Sequence, residues 1–333
     1  MMLRPFLRRR NARALRDAGR AIDEVVWIQA AGIDHFATIR GTRETNPVLV
    51  FLHGGPGASQ TIFGRTTLGW ENHVTIVEYD QRGTGKTRRR NGAPAPGELT
   101  LDRLAKDVVE VVEELRRRLG IDRVILAGSS VGSTFGLKVA AERPDLVSAY
   151  IGVDQNSIPE AGDETYRLTL ETLRRSGRAK GVRELERIGP GHRRWSQAEF
   201  DRIVRWAISA DRGIPDMVMD VMFPAMMTSP LHTMRDIHDI STGIEDSMTA
   251  LYRELVDFDA RAVATRFAVP FFVFQGDSDA VTPTEFAREY FDLVTAPVKG
   301  WQLAPNCGHL AAFTRPEAFE RFLVESVLPA ADG

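Results

Sequence analysis

Several short stretches carry the residue types needed to attack a carbonyl carbon. Gly128-Ser129-Ser130-Val131-Gly132 follows the apolar run Val124 to Ala127 and precedes a helix-type pattern. In that strand-to-helix context G-x-S-x-G reads as a nucleophile elbow, with Ser130 raised on a sharp turn at positive φ. Side chains at 128 and 132 would collide with such a turn, and both positions are glycine. The following helix turns its N-terminus toward the hydroxyl and favours negative charge there. A serine is a weak nucleophile unless a base takes its proton and a third group orients that base.

Seven histidines could supply the base. His35, His53 and His73 lie early, and His192, His232 and His238 fall in a middle region without strand signals. Only His309 follows the last apolar strand pattern, in the loop Asn306-Cys307-Gly308-His309. Chemistry in an open α/β sheet gathers at the C-terminal ends of its strands, so His309 is the expected base. The orienting acid should end a strand between serine and histidine. Gln275-Gly276-Asp277-Ser278-Asp279 offers two carboxylates. Asp279 is preferred, because the turn then releases the chain through Pro283, and Asp277 is left to cap or brace the turn. Two backbone N–H groups should receive the developing oxyanion: that of Val131, and one from His53-Gly54-Gly55-Pro56-Gly57, for which Gly55 is the expected donor. Losing one such donor costs about 2.7–4 kcal/mol of barrier.

These groups need a scaffold that ends several strands at one edge. The 333 residues are 43% hydrophobic and 26% charged with a net charge of −2, an ordinary globular composition that gives no general case for nucleic acid. Cys307 is the single cysteine, so no intrachain disulfide and no cysteine-based zinc site is possible. No run is long enough to span a bilayer and no secretory h-region opens the chain, which makes a cytoplasmic location the expectation. Strands are expected at Glu24 to Ala30, Asp34 to Arg40, Val48 to Leu52, Val74 to Tyr79, Val124 to Ala127, Val147 to Val153, Val269 to Phe274 and Val298 to Leu303. Helices are expected at Asp102 to Leu119, after the elbow to about Arg143, at Thr284 to Val294 and at Pro316 to Val327. Continuous apolar strands alternating with helices imply an α/β fold with a mostly parallel sheet covered on both faces.

The alternation is interrupted, which gives four expected parts. Residues 1–20 form a basic segment, 21–154 the first part of the core, 155–266 an inserted helical cap and 267–333 the second part of the core. The first twenty residues set seven arginines against Asp17. Leu3, Phe6, Leu7 and Leu15 could form an apolar stripe there. Contact with an anionic membrane surface is one reading; a helix docked on the body is the one preferred. Gly83-Thr84-Gly85-Lys86-Thr87 imitates the tail of a phosphate-binding loop, but position 80 is Asp where that loop needs Gly. Asp80 and Arg82 are expected to pair with each other and hold the neighbouring glycine loop.

Taken together, His53 to Gly57, Asp80-Gln81-Arg82-Gly83-Thr84-Gly85, the elbow, Gly276 to Asp279 and Gly308-His309 resemble the prolyl iminopeptidase family of α/β-hydrolases. The match runs through the core in order but not through the cap. The resemblance implies a triad of Ser130, Asp279 and His309, oxyanion donors at Gly55 and Val131, no metal or organic cofactor, and a small-molecule or short-peptide substrate. Two departures bear on specificity. The family usually has Trp where this chain has Val131, and its cap segments that hold a substrate amine have no clear counterpart among Glu160, Glu164, Glu245 and Glu254. The expected function is therefore a serine hydrolase acting on an amide or ester. A carboxylesterase without aminopeptidase activity is the alternative, and a non-catalytic binding protein of this fold the second alternative. Seven methionines of the cap (217, 219, 222, 226, 227, 234 and 248) suit either a deformable apolar pocket or ordinary helix packing.

Overall fold

A computed structural model of the chain describes residues 4–331. Eight strands form one sheet: β1 (Ile22–Ala30), β2 (Ile33–Gly41), β3 (Val48–Leu52), β4 (Thr75–Tyr79), β5 (Val124–Ser129), β6 (Val147–Val153), β7 (Phe271–Gly276) and β8 (Lys299–Ala304). Their spatial order is β1-β2-β4-β3-β5-β6-β7-β8. The β1–β2 and β2–β4 pairs are antiparallel, and every other neighbouring pair is parallel.

The two-residue period of a strand explains why the inner strands are apolar throughout. Val48, Val50 and Leu52 face one core with Val124, Leu126, Phe271 and Val273. Leu49 and Phe51 face the other with Ile125, Ala127, Phe272 and Phe274. The nine named helices up to residue 256 are α1 (Arg4–Arg16), α2 (Gly85–Asn91), α3 (Leu101–Leu119), α4 (Val131–Glu142), α5 (Ala161–Arg175), α6 (Ala179–Ile188), α7 (Gln197–Ala207), α8 (Phe223–Thr228) and α9 (Met234–Val256). Helices α3 and α4 cover the first core, with Tyr290 and Phe291 of the helix Thr284–Leu293. On the opposite face, Trp70 and Phe63 from two short helical turns pack with Phe313, Phe319 and Phe322. Helix α3 shows why its limits fall where they do: the Thr100 side chain accepts the Arg103 N–H, and Gly120 closes the helix at φ 65°.

Two elements differ from expectation. Strand β7 runs two residues further than its apolar run, because Gln275 is buried and uses its side-chain amide inside the fold. The last helix is not continuous: Pro316–Phe322 passes into a wider five-residue turn, Leu323–Val327, before Leu328–Ala331. Pro329 lacks an N–H and cannot continue a regular ladder, which accounts for the slip.

Helix α1 lies on the body. Arg4 donates to the carbonyls of Met227 and His232, Arg8 to those of Ser229 and Pro230, and Asn11 to that of Thr228. Phe6 of the anticipated stripe is 64% exposed, whereas Leu7 and Leu15 are half-buried; Leu3 lies outside the described residues. No helix among the described residues is long and apolar enough to cross a membrane.

Candidate active site

The turn after β5 carries Ser130 at φ 52° and ψ −124°, a region that a residue with a Cβ occupies only under strain. The flanking glycines are required for close approach. A Cβ on Gly128 would lie 2.5 Å from the Gly132 carbonyl oxygen, and one on Gly132 would lie 2.4 Å from that of Leu52. A Cβ on Gly54 would lie 2.8 Å from Ser130 Cβ and 3.3 Å from Val131 N, so the glycine loop after β3 passes directly over the elbow. Val131 opens α4, where the first N–H groups have no carbonyl partner inside the helix. Gly55, at φ 118°, lines the same cavity as Ser130 and Val131.

The structure brings the three side chains predicted to act together into one line. His309 Nε2 is 2.9 Å from Ser130 Oγ, and His309 Nδ1 is 2.8 Å from Asp279 Oδ2. A carboxylate only accepts, so the Nδ1 proton faces Asp279, and in the neutral ring the Nε2 lone pair faces the serine hydroxyl. Asp279 is fixed by four further donors: the N–H groups of Val281 and Thr282, the Thr282 hydroxyl and the Gln275 amide. Asp277 does the bracing instead, accepting from the N–H groups of Asn306 and Cys307 in the histidine loop. That loop comes so near β7 that a Cβ on Gly276 would sit 2.2 Å from the Gly308 carbonyl oxygen.

A second buried carboxylate stands beside this line. Asp154 ends β6 at φ 50°, is fully buried, and accepts the Ala311 N–H two residues beyond the histidine. Ligand atoms of Asp154, Asp279 and His309 lie within 4.8 Å of one another. Burial pushes the Asp154 carboxyl up to about 7, helped by the charge of Asp279 and opposed by His309. For His309, burial works against the imidazolium. The charge of Asp279, its hydrogen bond and the charge of Asp154 outweigh it and raise the ring to about 9. Sequence reasoning missed Asp154, although its signal was present: it is the first polar residue after an apolar strand of the same sheet.

The neighbouring loops differ from expectation at one point. Asp80 and Arg82 do not pair. Asp80 turns toward Ser59 and α2, where Ser59 Oγ and the Lys86 N–H donate to it; the latter, in the first turn of α2, has no carbonyl partner inside the helix. Arg82 turns the other way, onto Asp107 of α3 and Glu98. What ties the two loops is a histidine and a glutamine: Gln81 N donates to His53 Nε2, and the Gln81 amide donates to the His53 carbonyl. Burial, only partly offset by the bond to the Gly54 carbonyl, lowers the His53 ring to about 4 and keeps it neutral as that acceptor.

Two cavities flank the line. One of about 130 Å³ includes Gly55, Ser130 and Val131 and is walled by Ile158, Phe200, Met248, Tyr252, Leu255 and Phe258. The other, about 330 Å³, reaches Asp279 and His309 from the far side and includes Glu164 and Met217. Of the remaining glutamates singled out, Glu160 pairs with Arg261, Glu254 accepts the Leu101 N–H and Glu245 is exposed. Met248 alone among the seven methionines lines the cavity at Ser130, while Met219 and Met234 are largely exposed.

Comparison with known proteins agrees with this architecture. Residues 49–322 match the model of the alpha/beta hydrolase family. The "Probable aminopeptidase YbaC" of Bacillus subtilis (strain 168) is 29% identical over 290 residues, 86% of this chain and 90% of that one. The solved structure of a proline iminopeptidase from Mycobacterium smegmatis superposes with a TM-score of 0.66 at 17% identity, covering 92% of this chain and 99% of that one. A thermophilic esterase from Thermogutta terrifontis superposes with a TM-score of 0.60 at 18% identity, over the same shares. At those identities the two superpositions speak for the fold alone. With the family model spanning most of the chain, the protein belongs to the α/β-hydrolases.

Proposed function

We propose that this hydrolase is a serine hydrolase of the prolyl iminopeptidase-like type, cleaving an amide or ester bond of a small substrate through an acyl-enzyme. The reading rests on the line of hydrogen bonds from Ser130 Oγ through His309 to Asp279. In this mechanism His309 Nε2 takes the hydroxyl proton as Oγ bonds to the carbonyl carbon. The oxygen that gains the electron pair receives the N–H groups of Gly55 and Val131. The carbonyl re-forms, the bond to the leaving group breaks, and the leaving group departs with the proton from Nε2. Water then gives a proton to Nε2 as its oxygen bonds to the acyl carbon; the ester bond to Ser130 Oγ breaks, the acid leaves, and Nε2 returns the proton to Oγ. Asp279 stabilises the transient imidazolium throughout, and residues 155–266 act as the cap that limits substrate size.

The test pairs a fluorophosphonate probe with steady-state kinetics on prolyl and alanyl arylamides and on short and long acyl esters. Ser130 should be labelled, and Ser130→Ala should lose at least about a thousandfold in kcat. Full activity in that variant would refute the mechanism, and an unlabelled serine with no turnover of any of these substrates would leave the non-catalytic alternative standing.

A carboxylesterase without aminopeptidase activity is favoured by one observation: among the described residues, no Asp or Glu lines the cavity at Ser130. Of Glu160, Glu164, Glu245 and Glu254, Glu164 reaches the neighbouring cavity and is paired with Arg167. A preference for acyl esters over free-amine arylamides in the same assay would select this reading.

A further inference from the structure

One buried polar group at the Ser130 cavity has no function in the mechanism above. His192 lies on a short turn between α6 and α7 and is 9% exposed. It is among the residues lining the roughly 130 Å³ cavity. Its Nε2 is buried and has no hydrogen-bond partner among the described residues. Leaving such a nitrogen unpaired is costly, because burial removes its water without supplying a donor.

The ring is held from behind. Asp163, on α5, accepts three times from the turn: its Oδ1 takes the N–H groups of Gly191 and His192 at 2.7 and 2.9 Å, and its Oδ2 faces His192 Nδ1 at 3.0 Å. Burial pulls the Asp163 carboxyl upward, but these bonds outweigh it and hold it below the usual carboxylate range. An ionised carboxylate accepts only, so Nδ1 carries a proton, and a ring with that single proton presents a lone pair at Nε2. Trp195 stands edge-on to the ring, with centroids 6.4 Å apart, and further restricts it.

We propose that His192 Nε2 is a recognition point for a hydrogen-bond donor on the acyl group of the substrate, an amine or a hydroxyl close to the scissile carbonyl. The inference rests on the serine-hydrolase reading and extends it to substrate class. Cavity size supplies the proximity: a void of about 150 Å³ holds a benzene-sized group, so the acyl portion here is a short branched chain or a single ring. Any donor inside it lies within a few bonds of the carbonyl. Asn156, Ser157, Thr165 and Thr282 also line the cavity, but among its described lining residues His192 Nε2 is the buried side-chain atom left without a partner, so a donor-bearing acyl group gains there what a plain hydrocarbon group cannot.

The test compares p-nitrophenyl esters of isovalerate, 2-hydroxyisovalerate and valine, which share a skeleton and differ in the donor. The quantity read is each donor ester's kcat/KM relative to isovalerate, compared between wild type and variants, so intrinsic ester reactivity cancels. His192→Asn keeps an N–H near the Nδ1 position for Asp163 and removes Nε2. Asp163→Asn instead turns a donor toward Nδ1, which forces the proton onto Nε2 and blocks it as an acceptor. Both variants should lower the relative rate of the preferred donor ester about tenfold, and whether the hydroxy or amino ester falls further identifies the donor. Relative rates within twofold of wild type in the folded variants, with Ser130-dependent turnover intact, would overturn this assignment alone. Absence of Ser130-dependent turnover of all three esters in wild type would overturn the serine-hydrolase reading and this assignment with it.

Discussion

A general base needs its imidazole neutral before the reaction and cationic during it, and two carboxylates act on His309 at once. Asp279 is hydrogen-bonded to it, and the buried Asp154 acts on its charge from nearby. Both favour the imidazolium, so activity should fall on the acid side as the ring gains its proton. Removing one negative charge weakens that hold and lowers the ring's affinity for the proton. Asp154→Asn should therefore move the acid limb of the kcat/KM–pH profile to lower pH. The carboxamide oxygen can still accept the Ala311 N–H, so the loop geometry has no reason to change. Asp279→Asn, by contrast, should cost about 10⁴ in kcat, because the tautomer itself is lost. An acid limb that stays in place or rises in Asp154→Asn would refute the charge argument. Ser130, Asp279 and His309 were legible because each ends an apolar strand in the order the chemistry requires. Asp154 obeys the same rule and was overlooked. His192 had no such signal: its partner lies 29 residues away, in a region where nothing in the sequence pattern aligns the two.

Helix α1 shows how a charge run is used by an element. The carbonyls of Met227 and Thr228 belong to the last turn of α8, and those of Ser229, Pro230 and His232 lie just beyond it. Carbonyls at a helix end lack intrahelical donors, and the guanidinium groups of Arg4 and Arg8 and the amide of Asn11 supply them. The basic character of residues 4–16 is thus partly spent inside the molecule. Replacing Arg4 and Arg8 together by Ala should lower stability by about 1–3 kcal/mol. It should also speed amide exchange locally across 223–232, in hydrogen-exchange mass spectrometry, while residues 101–119 keep their protection. Exchange unchanged in 223–232 would show that the helix contributes nothing to that turn. The sequence displayed the charge and the helical period but not the destination of the guanidinium groups. The strands of the sheet were legible for the opposite reason: burial on both faces leaves a continuous apolar run, and this signal does not depend on distant partners.

At the scale of the whole molecule, the long helix α9 meets the core through glycines. A Cβ on Gly57 would lie 2.4 Å from the Gly243 carbonyl oxygen, and one on Gly243 would lie 2.8 Å from that of Gly83. Backbone therefore rests on backbone where α9 crosses both the glycine loop after β3 and the loop after β4. The first of these holds Gly55, and Met248 and Tyr252 further along α9 reach the Ser130 cavity. A glycine inside a helix normally costs about 1 kcal/mol relative to alanine, so Gly243 is retained against the helix's own preference. Gly243→Ala puts the two effects in opposition. Propensity alone predicts a stabilised helix; the 2.8 Å approach predicts that α9 must lift from the loops. The contact should win, because it involves backbone on both sides and no flexible side chain can yield. Gly243→Ala should lower the melting temperature and reduce kcat/KM, with much of the loss in KM as the cavity wall shifts. Ser241→Ala, at an exposed position of the same helix, should leave both unchanged or raise the melting temperature slightly. A Gly243→Ala protein more stable than wild type and equally active would mean that α9 is not seated on the glycine loops in solution.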